Sequence, residues 1–340
     1  MRNLIYMSVF RSREYITLFQ YLAESIVSYG DLPDNTDVIV LTQSDFESDV
    51  LLAAKGLPNV TTRIHSIDTV FECGRSKIKI FDHDVSAYSK ILYLDTDILV
   101  NESLKPLFDI DLDPNKLYAL EEGVVSHEFW GGETPLFDLT KIDGNTTAFC
   151  SGVLLFRNTP QMKQLFLEMN QRIDLDIYVK KVPISGCIEQ PYVNYCAIMN
   201  GQYNNQALKR FVKNNPITIE SGISVYHFPG GPGWYWKKLP VVQSFMKAMK
   251  SSRTLKHRLL EKTFHWGDET VKDTITFNEN CLLTVFGNPR NDSYIILDEN
   301  VAELFFGGYY HLAIFNETLT GFTSIRKVDF QITNCRIKNG

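Results

Sequence analysis

The sequence predicts an α/β fold, with a mostly parallel sheet covered on both faces by helices, followed by a small antiparallel β domain. Three observations predict it. Strand-length apolar runs alternate with helical spacings through the first half of the chain. From about residue 255 the texture changes to short β-rich runs broken by Asn, Asp and Gly. The chain's 340 residues, 44% of them hydrophobic, supply two cores at ~150 residues per domain.

The elements follow in order. "NLIYMSV" reads as a first strand, and "REYITLFQYLAESIVSYG" has helical spacing that ends on Gly30. "TDVIVLT" and "VTTRIHSI" are further strands, "SKIKIFDHDVSAYS" suits a helix over 76–89, and "KILYLD" is the next strand. "KLYALEE" and "SGVLLFRN" read as strands, while "TPQMKQLFLEMNQRI" and "EQPYVNYCAIMNG" read as helices. Such alternation favours parallel pairing, because each crossover helix covers a sheet face. No Gly-rich dinucleotide fingerprint follows the first strand. The basic, helical "SFMKAMKSSRTLKHRLLEK" divides the chain into 1–250 and a β-rich 251–340.

Composition removes several classes of function. The formal net charge is −6 and the pI is near 5.7, against a broad nucleic-acid footprint. No run approaches ~20 apolar residues, so no membrane span is expected. "MRNLIYMSVFRS" reads as a strand rather than a signal peptide. The cysteines at 73, 150, 187, 196, 281 and 335 have neither CxxC spacing nor a short disulfide framework, and read as reduced thiols of a cytoplasmic protein.

The chemistry concentrates in "YSKILYLDTDILV", which sets Asp95 and Asp97 one residue apart behind a buried-type strand. The DxD pattern recurs at 82/84, 109/111, 111/113 and 174/176, so spacing alone decides nothing. Only 95/97 follows a run suited to the middle of a parallel sheet, whose carboxyl ends are where ligands bind. Two ionised carboxylates there repel each other unless a cation intervenes, and a divalent metal is the economical one. The "FDIDLDPN" aspartates read as a surface turn.

"SKIKIFDHDVSAYSKILYLDTDILV" resembles the core of glycosyltransferase family 8, the glycogenin-like enzymes. The resemblance covers roughly residues 3–240 and leaves the β-rich tail outside it. It implies a GT-A fold, a UDP-sugar donor, Mn²⁺ (or Mg²⁺) and retention of anomeric configuration. On it, Asp95 and Asp97 bind the metal, Thr96 sits near the ribose, and Lys77 supplies positive charge. "SVFRSREYI" resembles the family's uracil loop, with Phe10 and Ser12 lining the base and Tyr15 either stacked on it or packed in helix core. "VYHFPGGPGW" matches the turn in which His227 is the third metal ligand and Gly230 approaches phosphate. "ISGCIEQPYVNY" places Glu189 and Gln190 beside the transferred sugar, where a carboxylate or amide stabilises an oxocarbenium-like centre.

Three departures stand out. The lysine expected six residues after the histidine is Gly233, with Lys237 and Lys238 just beyond. The family's Asn-Ser-Gly is Cys150-Ser151-Gly152, so Ser151 stays among the donor-binding residues while a sugar contact is lost. Glu189 replaces a shorter aspartate. Partners implied are a nucleotide-sugar donor and a glycan or protein acceptor, with a homodimer also open.

Two rivals accompany this reading. "ILYLDTDILV" also resembles the first motif of haloacid-dehalogenase-like phosphatases, and "GDETVKD" (267–273) mimics their later metal motif. Three strands precede the DxD strand, however, where that motif opens its domain. The other rival is a non-catalytic glycan-binding protein with a degenerate transferase domain. In the tail, Trp266, Phe305, Phe306, Tyr309, Tyr310 and His311 suit stacking on sugars, yet any small β core also requires such alternating aromatics.

Overall fold

The computed structural model describes residues 2–127, 130, 136–230, 235–260, 262–267, 273–278, 281–286, 288–316 and 318–338. Its chain divides into two compact units, Met1–Pro216 with Gly222–Gln243, and Ile217–Ser221 with Ser244–Gly340.

In the first unit, β1 (Arg2–Val9) alternates its side chains between two cores, as a strand period of two requires. Leu4 and Tyr6 join one core, and Ile5, Met7 and Val9 the other. Helix α1 (Arg13–Tyr29) buries Leu18, Phe19, Leu22 and Ile26 at three- and four-residue spacings, and Gly30 N–H donates to Ile26 O to end it. Strand β2 (Thr36–Thr42), helix α2 (Glu47–Ala53) and strand β3 (Val60–Ile64) follow. Helix α3 (Val70–Arg75) starts at Thr69, whose hydroxyl accepts from Glu72 N–H.

The helix expected over 76–89 is instead a 3₁₀ turn, Ser76–Asp82. Asp84 Oδ1 accepts from both the Ser86 amide and hydroxyl, a local alternative that outcompetes helix propagation. Strand β4 (Tyr88–Leu94) then runs into the core and β5 (Ile98–Val100) leaves it for a second sheet. After helix α4 (Lys105–Asp109) come β6 (Leu117–Val124), β7 (Thr147–Arg157), α5 (Pro160–Ile173) and α6 (Gln190–Met199). Short strands β8 (Tyr203–Asn204), β9 (Val212–Asn214) and β10 (Val225–His227) complete the unit.

Among the described residues the main sheet has the order β3-β2-β1-β4-β7-β6-β8. Strands β3, β2, β1 and β4 pair in parallel; β7 runs antiparallel to β4 and β6. The expected mixed, mostly parallel sheet is therefore present. Helices α5 and α6 cover one face with Phe166, Met169 and Tyr192, and α1 covers the other with Phe19 and Leu22. The second sheet, β5-β10-β9, sets β10 antiparallel to β5 with His227 opposite Ile98.

Helix α7 (Tyr235–Leu259) contains the division between the units. The second unit is a closed eight-stranded antiparallel barrel in chain order. Its strands are β11 (Thr263–Trp266), β12 (Thr274–Phe277), β13 (Leu282–Val285), β14 (Asn288–Asp298), β15 (Val301–Phe306), β16 (Tyr309–Phe315), β17 (Gly321–Arg326) and β18 (Ile332–Ile337). Pairing of β11 with β18 closes it and leaves no open edge. Phe264, Phe277, Tyr294, Phe315 and Phe322 fill the interior. The antiparallel β domain expected from the sequence is thus a barrel. No described helix is long and apolar enough to cross a membrane.

Candidate active site

The turn between β4 and β5 carries Asp95, Thr96 and Asp97 out of the sheet's centre. Backbone bonds clamp both ends: Asp95 N–H donates to Gly152 O at 2.9 Å, and Phe228 N–H donates to Asp97 O at 2.9 Å. The register of β10 on β5 then brings the His227 ring alongside. One ligand atom from each of Asp95, Asp97 and His227 lies within 4.8 Å of the others, and no other such group occurs among the described residues.

Seating that imidazole requires Gly152. A Cβ there would lie 2.4 Å from His227 Cε1 and 2.6 Å from Nε2. His227 Nδ1 lies 2.9 Å from Asn214 Oδ1, and Asn214 Nδ2 donates to Glu122 Oε2 at 2.8 Å. The acceptor oxygen assigns the proton to Nδ1 and turns Nε2 toward Asp97 Oδ1, 3.4 Å away. Neither Asn214 nor Glu122's part in this chain was legible from sequence, since the contacts span 13 and 92 residues.

Lysines balance the carboxylates. Lys77 Nζ lies 3.2 Å from Asp95 and 2.9 Å from Glu189 Oε1, over the Tyr93 ring, whose hydroxyl donates to Asp95. Lys238 Nζ donates to Asp97 Oδ2, while Lys237 lies over the exposed Trp236 indole. Of the two lysines considered from sequence, Lys238 therefore reaches the aspartates. The buried Asp97 and Glu189 and the half-buried Asp95 thus face two ammonium groups and one imidazole.

The electrostatics follow from that packing. Burial pushes the Asp95 carboxyl up and Lys77 only partly offsets it. Burial also opposes the charge on Asp97, yet Lys238 and His227 hold it well below the usual carboxylate range. For Lys77, burial is outweighed by Asp95 and Glu189, so it stays protonated. Burial disfavours protonation of His227, but Cys150 and Asp97 overcome it and push the imidazole up to about 10.

Ser151, Glu189 and Gln190 form the adjoining floor. Ser151 N–H donates to Gln190 Oε1 at 2.8 Å, and the Ser151 hydroxyl lies 2.8 Å from Glu189 Oε1. Asn194 exchanges bonds with Phe149 N–H and O, pinning α6 to β7 so these contacts hold. Glu189 follows Ile188, a β-branched residue at φ 56°, a costly conformation that turns the carboxylate inward. Gly74 supplies the room, since a Cβ there would lie 2.4 Å from Glu189 Oε2.

Cys150, in place of the amide expected, puts its sulfur 3.6 Å from His227 Nδ1. Thr96 is buried between the aspartates. At the end of β1, Phe10 is buried with its ring edge-on to His65, and Ser12 begins α1 with its hydroxyl on Glu14. Tyr15 is half-buried against the α1 core, and its hydroxyl adds to the electrostatic environment of Lys238. Gly230 is exposed beyond Phe228. Gly233 and residues 268–272 of "GDETVKD" lie outside the described residues.

The donor set fits a divalent cation. Two carboxylates and an imidazole suit hard-to-borderline metals such as Mn²⁺. Asp97 Oδ1 is buried and makes no hydrogen bond, its ion-pair neighbour His227 Nε2 standing off at 3.4 Å, which leaves the oxygen free to ligate a cation.

Comparison with known proteins places this geometry. Residues 76–232 match glycosyl transferase family 8. No curated protein matches the chain. Among solved structures, the galactosyltransferase LgtC, in complex with donor and acceptor sugar analogues, is 18% identical over 71% of this chain and 95% of its own, at a TM-score of 0.50. The bifunctional glycosyltransferase WbbM is 15% identical over 71% of this chain at a TM-score of 0.49, and the chain spans about half of it, 49%. Mouse xyloside xylosyltransferase 1 is 11% identical over 67% of this chain and 98% of its own, at 0.46. The LgtC likeness supports the fold alone. The stretch that carries both aspartates and the histidine lies within the residues that match glycosyl transferase family 8, in a GT-A-type sheet, and a β-barrel follows it in this chain.

Proposed function

We propose that the protein is a metal-dependent, retaining glycosyltransferase that moves a sugar from a UDP-sugar to an acceptor. The observation that carries this is the convergence of Asp95, Asp97 and His227 inside the family-8 match. In this reading the three residues hold Mn²⁺ or Mg²⁺. When bound, such an ion offsets charge growing on the departing diphosphate.

The chain's own residues do the rest. Lys238 leaves Asp97 for the diphosphate, a short reach for a flexible ammonium, and takes the role that the sequence leaves open between Lys237 and Lys238. Tyr15, Phe10, Ser12 and Thr96 line the nucleoside side, and Gly230 lets backbone approach phosphate. Lys77 stays charged and holds both Asp95 and Glu189 in place. Glu189 and Gln190, fixed through Ser151, face the anomeric carbon and stabilise its positive character. A cytoplasmic location belongs to the same proposal, in keeping with six free cysteines.

Release of UDP separates the readings. With Mn²⁺ and a panel of UDP-glucose, UDP-galactose, UDP-xylose and UDP-glucuronate, slow hydrolysis of at least one donor is expected, abolished by EDTA. Turnover of p-nitrophenyl phosphate without UDP release would sink the transferase in favour of a phosphatase. Neither activity would leave a binding module.

A further inference from the structure

Along each strand of an antiparallel barrel, alternate side chains face the interior and the outside. On the first strands the outward positions are largely threonines, Thr263 on β11, Thr274 and Thr276 on β12, and Thr284 on β13, while Phe264, Ile275, Phe277 and Leu283 point inward. Thr263 and Thr276 pair across the ladder with their hydroxyl oxygens 2.9 Å apart. A barrel wall that faces water is expected to look like this.

The next three strands reverse the pattern. Tyr294, Ile296, Ala302, Leu304 and Ala313 fill the interior. The outward positions between them are Ile295 and Leu297 on β14, Val301 and Phe305 on β15, and Leu312 and Ile314 on β16. Strand register joins these residues into one surface. Glu303 pairs with Ile295 on one side and with Leu312 on the other, and Val301 pairs with Ile314. Leu297 lies between the Ile296–Ala302 and Asp298–Val301 pairs, and Phe305 pairs with Tyr310, their ring centres 4.8 Å apart. Three neighbouring strands of eight carry the whole set, so it occupies one side of the barrel.

That side meets water. Ile295, Leu297, Ile314 and Tyr310 are exposed at 44%, 39%, 39% and 54%, and Val301, Phe305 and Leu312 are half-buried. The core is complete without them. The charge at the centre of the surface, Glu303, is ion-paired with Lys327.

We infer that this side of the barrel is a dimer interface, covered by the same face of a second copy of the chain. The area supports that occupant. The apolar surface left bare is on the order of 500 Å², in the range where a patch on a soluble chain is often functional. An interface of ~800 Å² per partner, about 65% of it apolar, contains that much. The closed barrel has no open strand edge, so copies of it meet face to face, and two copies of one sheet share the same twist and pack aligned. A twofold contact uses one patch on both copies and closes, whereas the threonine side offers no comparable apolar surface from which an open chain of copies could grow. Other occupants fit less well. Sugars stack on ring faces, but aliphatic side chains outnumber rings here, and Phe306 and His311 of the tail aromatics are buried. An anionic membrane surface calls for basic residues, yet the lysine at this surface is held by Glu303 and the chain's net charge is −6.

Sedimentation velocity of the full chain at about 50 μM tests the interface. Wild type is expected to run as a dimer. Ile295→Glu and Ile314→Glu are each expected to weaken it at least about 100-fold, because a twofold axis brings the new carboxylate into the contact twice. Ile314→Thr, β-branched like the residue it replaces, repeats the test without a charge and is expected to weaken the dimer about tenfold while keeping a cooperative melting transition. Thr276→Glu, on the polar side, is expected to leave the dimer intact. A monomeric wild type overturns the interface. So does a dimer that survives both glutamate variants, or one that Thr276→Glu dissolves equally. Species that grow beyond the dimer with concentration overturn the twofold contact, and a monomer that floats with phosphatidylcholine vesicles gives the face to lipid instead. None of these outcomes depends on whether the chain releases UDP.

Discussion

The two units break the ordinary rule of burial in opposite directions. In the first, charged groups are inside: Lys77, Asp97, Glu189 and His227 are each buried at 5% exposure or less. In the second, apolar groups are outside, along one side of a barrel whose interior is already full. A buried charge costs free energy unless paired, and an exposed apolar side chain forgoes the gain of burial. Each departure is compensated locally, by ion pairs in one unit and by a complete aromatic core in the other. The contrast teaches that a departure from ordinary burial has to be tested by its own physics, electrostatic in one unit and apolar in the other.

The largest effect is expected from Asp97→Asn. It removes a ligand, leaves Lys238 without its carboxylate, and keeps the side-chain shape. Mn²⁺ binding measured by electron paramagnetic resonance should vanish, and UDP release should fall about a thousandfold, while the circular dichroism spectrum is retained. Wild-type activity in this variant would remove the aspartate pair from the mechanism.

Next comes Gly152→Ala, which alters no charge. Its methyl group must displace the His227 ring. Metal affinity by calorimetry is expected to weaken about 10- to 100-fold. An unchanged affinity would mean that the imidazole's position does not matter, and the electrostatic side of the comparison would lose its geometric basis.

The smallest effect concerns a half-buried pair, His65 and His83, whose Nε2 atoms lie 2.7 Å apart. One ring donates and the other accepts, so at least one must be neutral. Burial, with Lys79 nearby, keeps His65 below the usual imidazole value. Burial, with His65 and Arg63, does the same for His83. Both being lowered, the unfolded chain takes up protons first, and stability is lost as pH falls below about 6.5. His83→Gln should flatten the dependence of Tm on pH between 7 and 5. An identical slope in the variant would show that this pair carries none of it.

Much of the candidate site was legible because its signals are local. The run before Asp95 and the turn after His227 are contiguous stretches, and the strand pattern ahead of Asp95 sets it at a sheet's carboxyl end. The helix expected over 76–89 failed for an equally local reason, the Asp84–Ser86 turn. What periodicity cannot report is which of two adjacent side chains points inward. Lys237 and Lys238 are chemically alike in sequence, and helix α7 alone turns the second toward Asp97.

With the distant histidine entering only through the resemblance to glycosyltransferase family 8, the sequence by itself determined the alternation of strands and helices, the change to a β-rich tail, and the acidic pair at a strand's end. These depend on hydrophobic period and turn chemistry, which are written residue by residue. Tertiary structure decided that the tail closes into a barrel, that Asn214 and Glu122 orient the imidazole, and that Gly152 and Gly74 make room for His227 and Glu189. It also decided which aromatics are core and which meet water. Those outcomes rest on strand register and on contacts between residues far apart in the chain, where a glycine matters only for what stands opposite it.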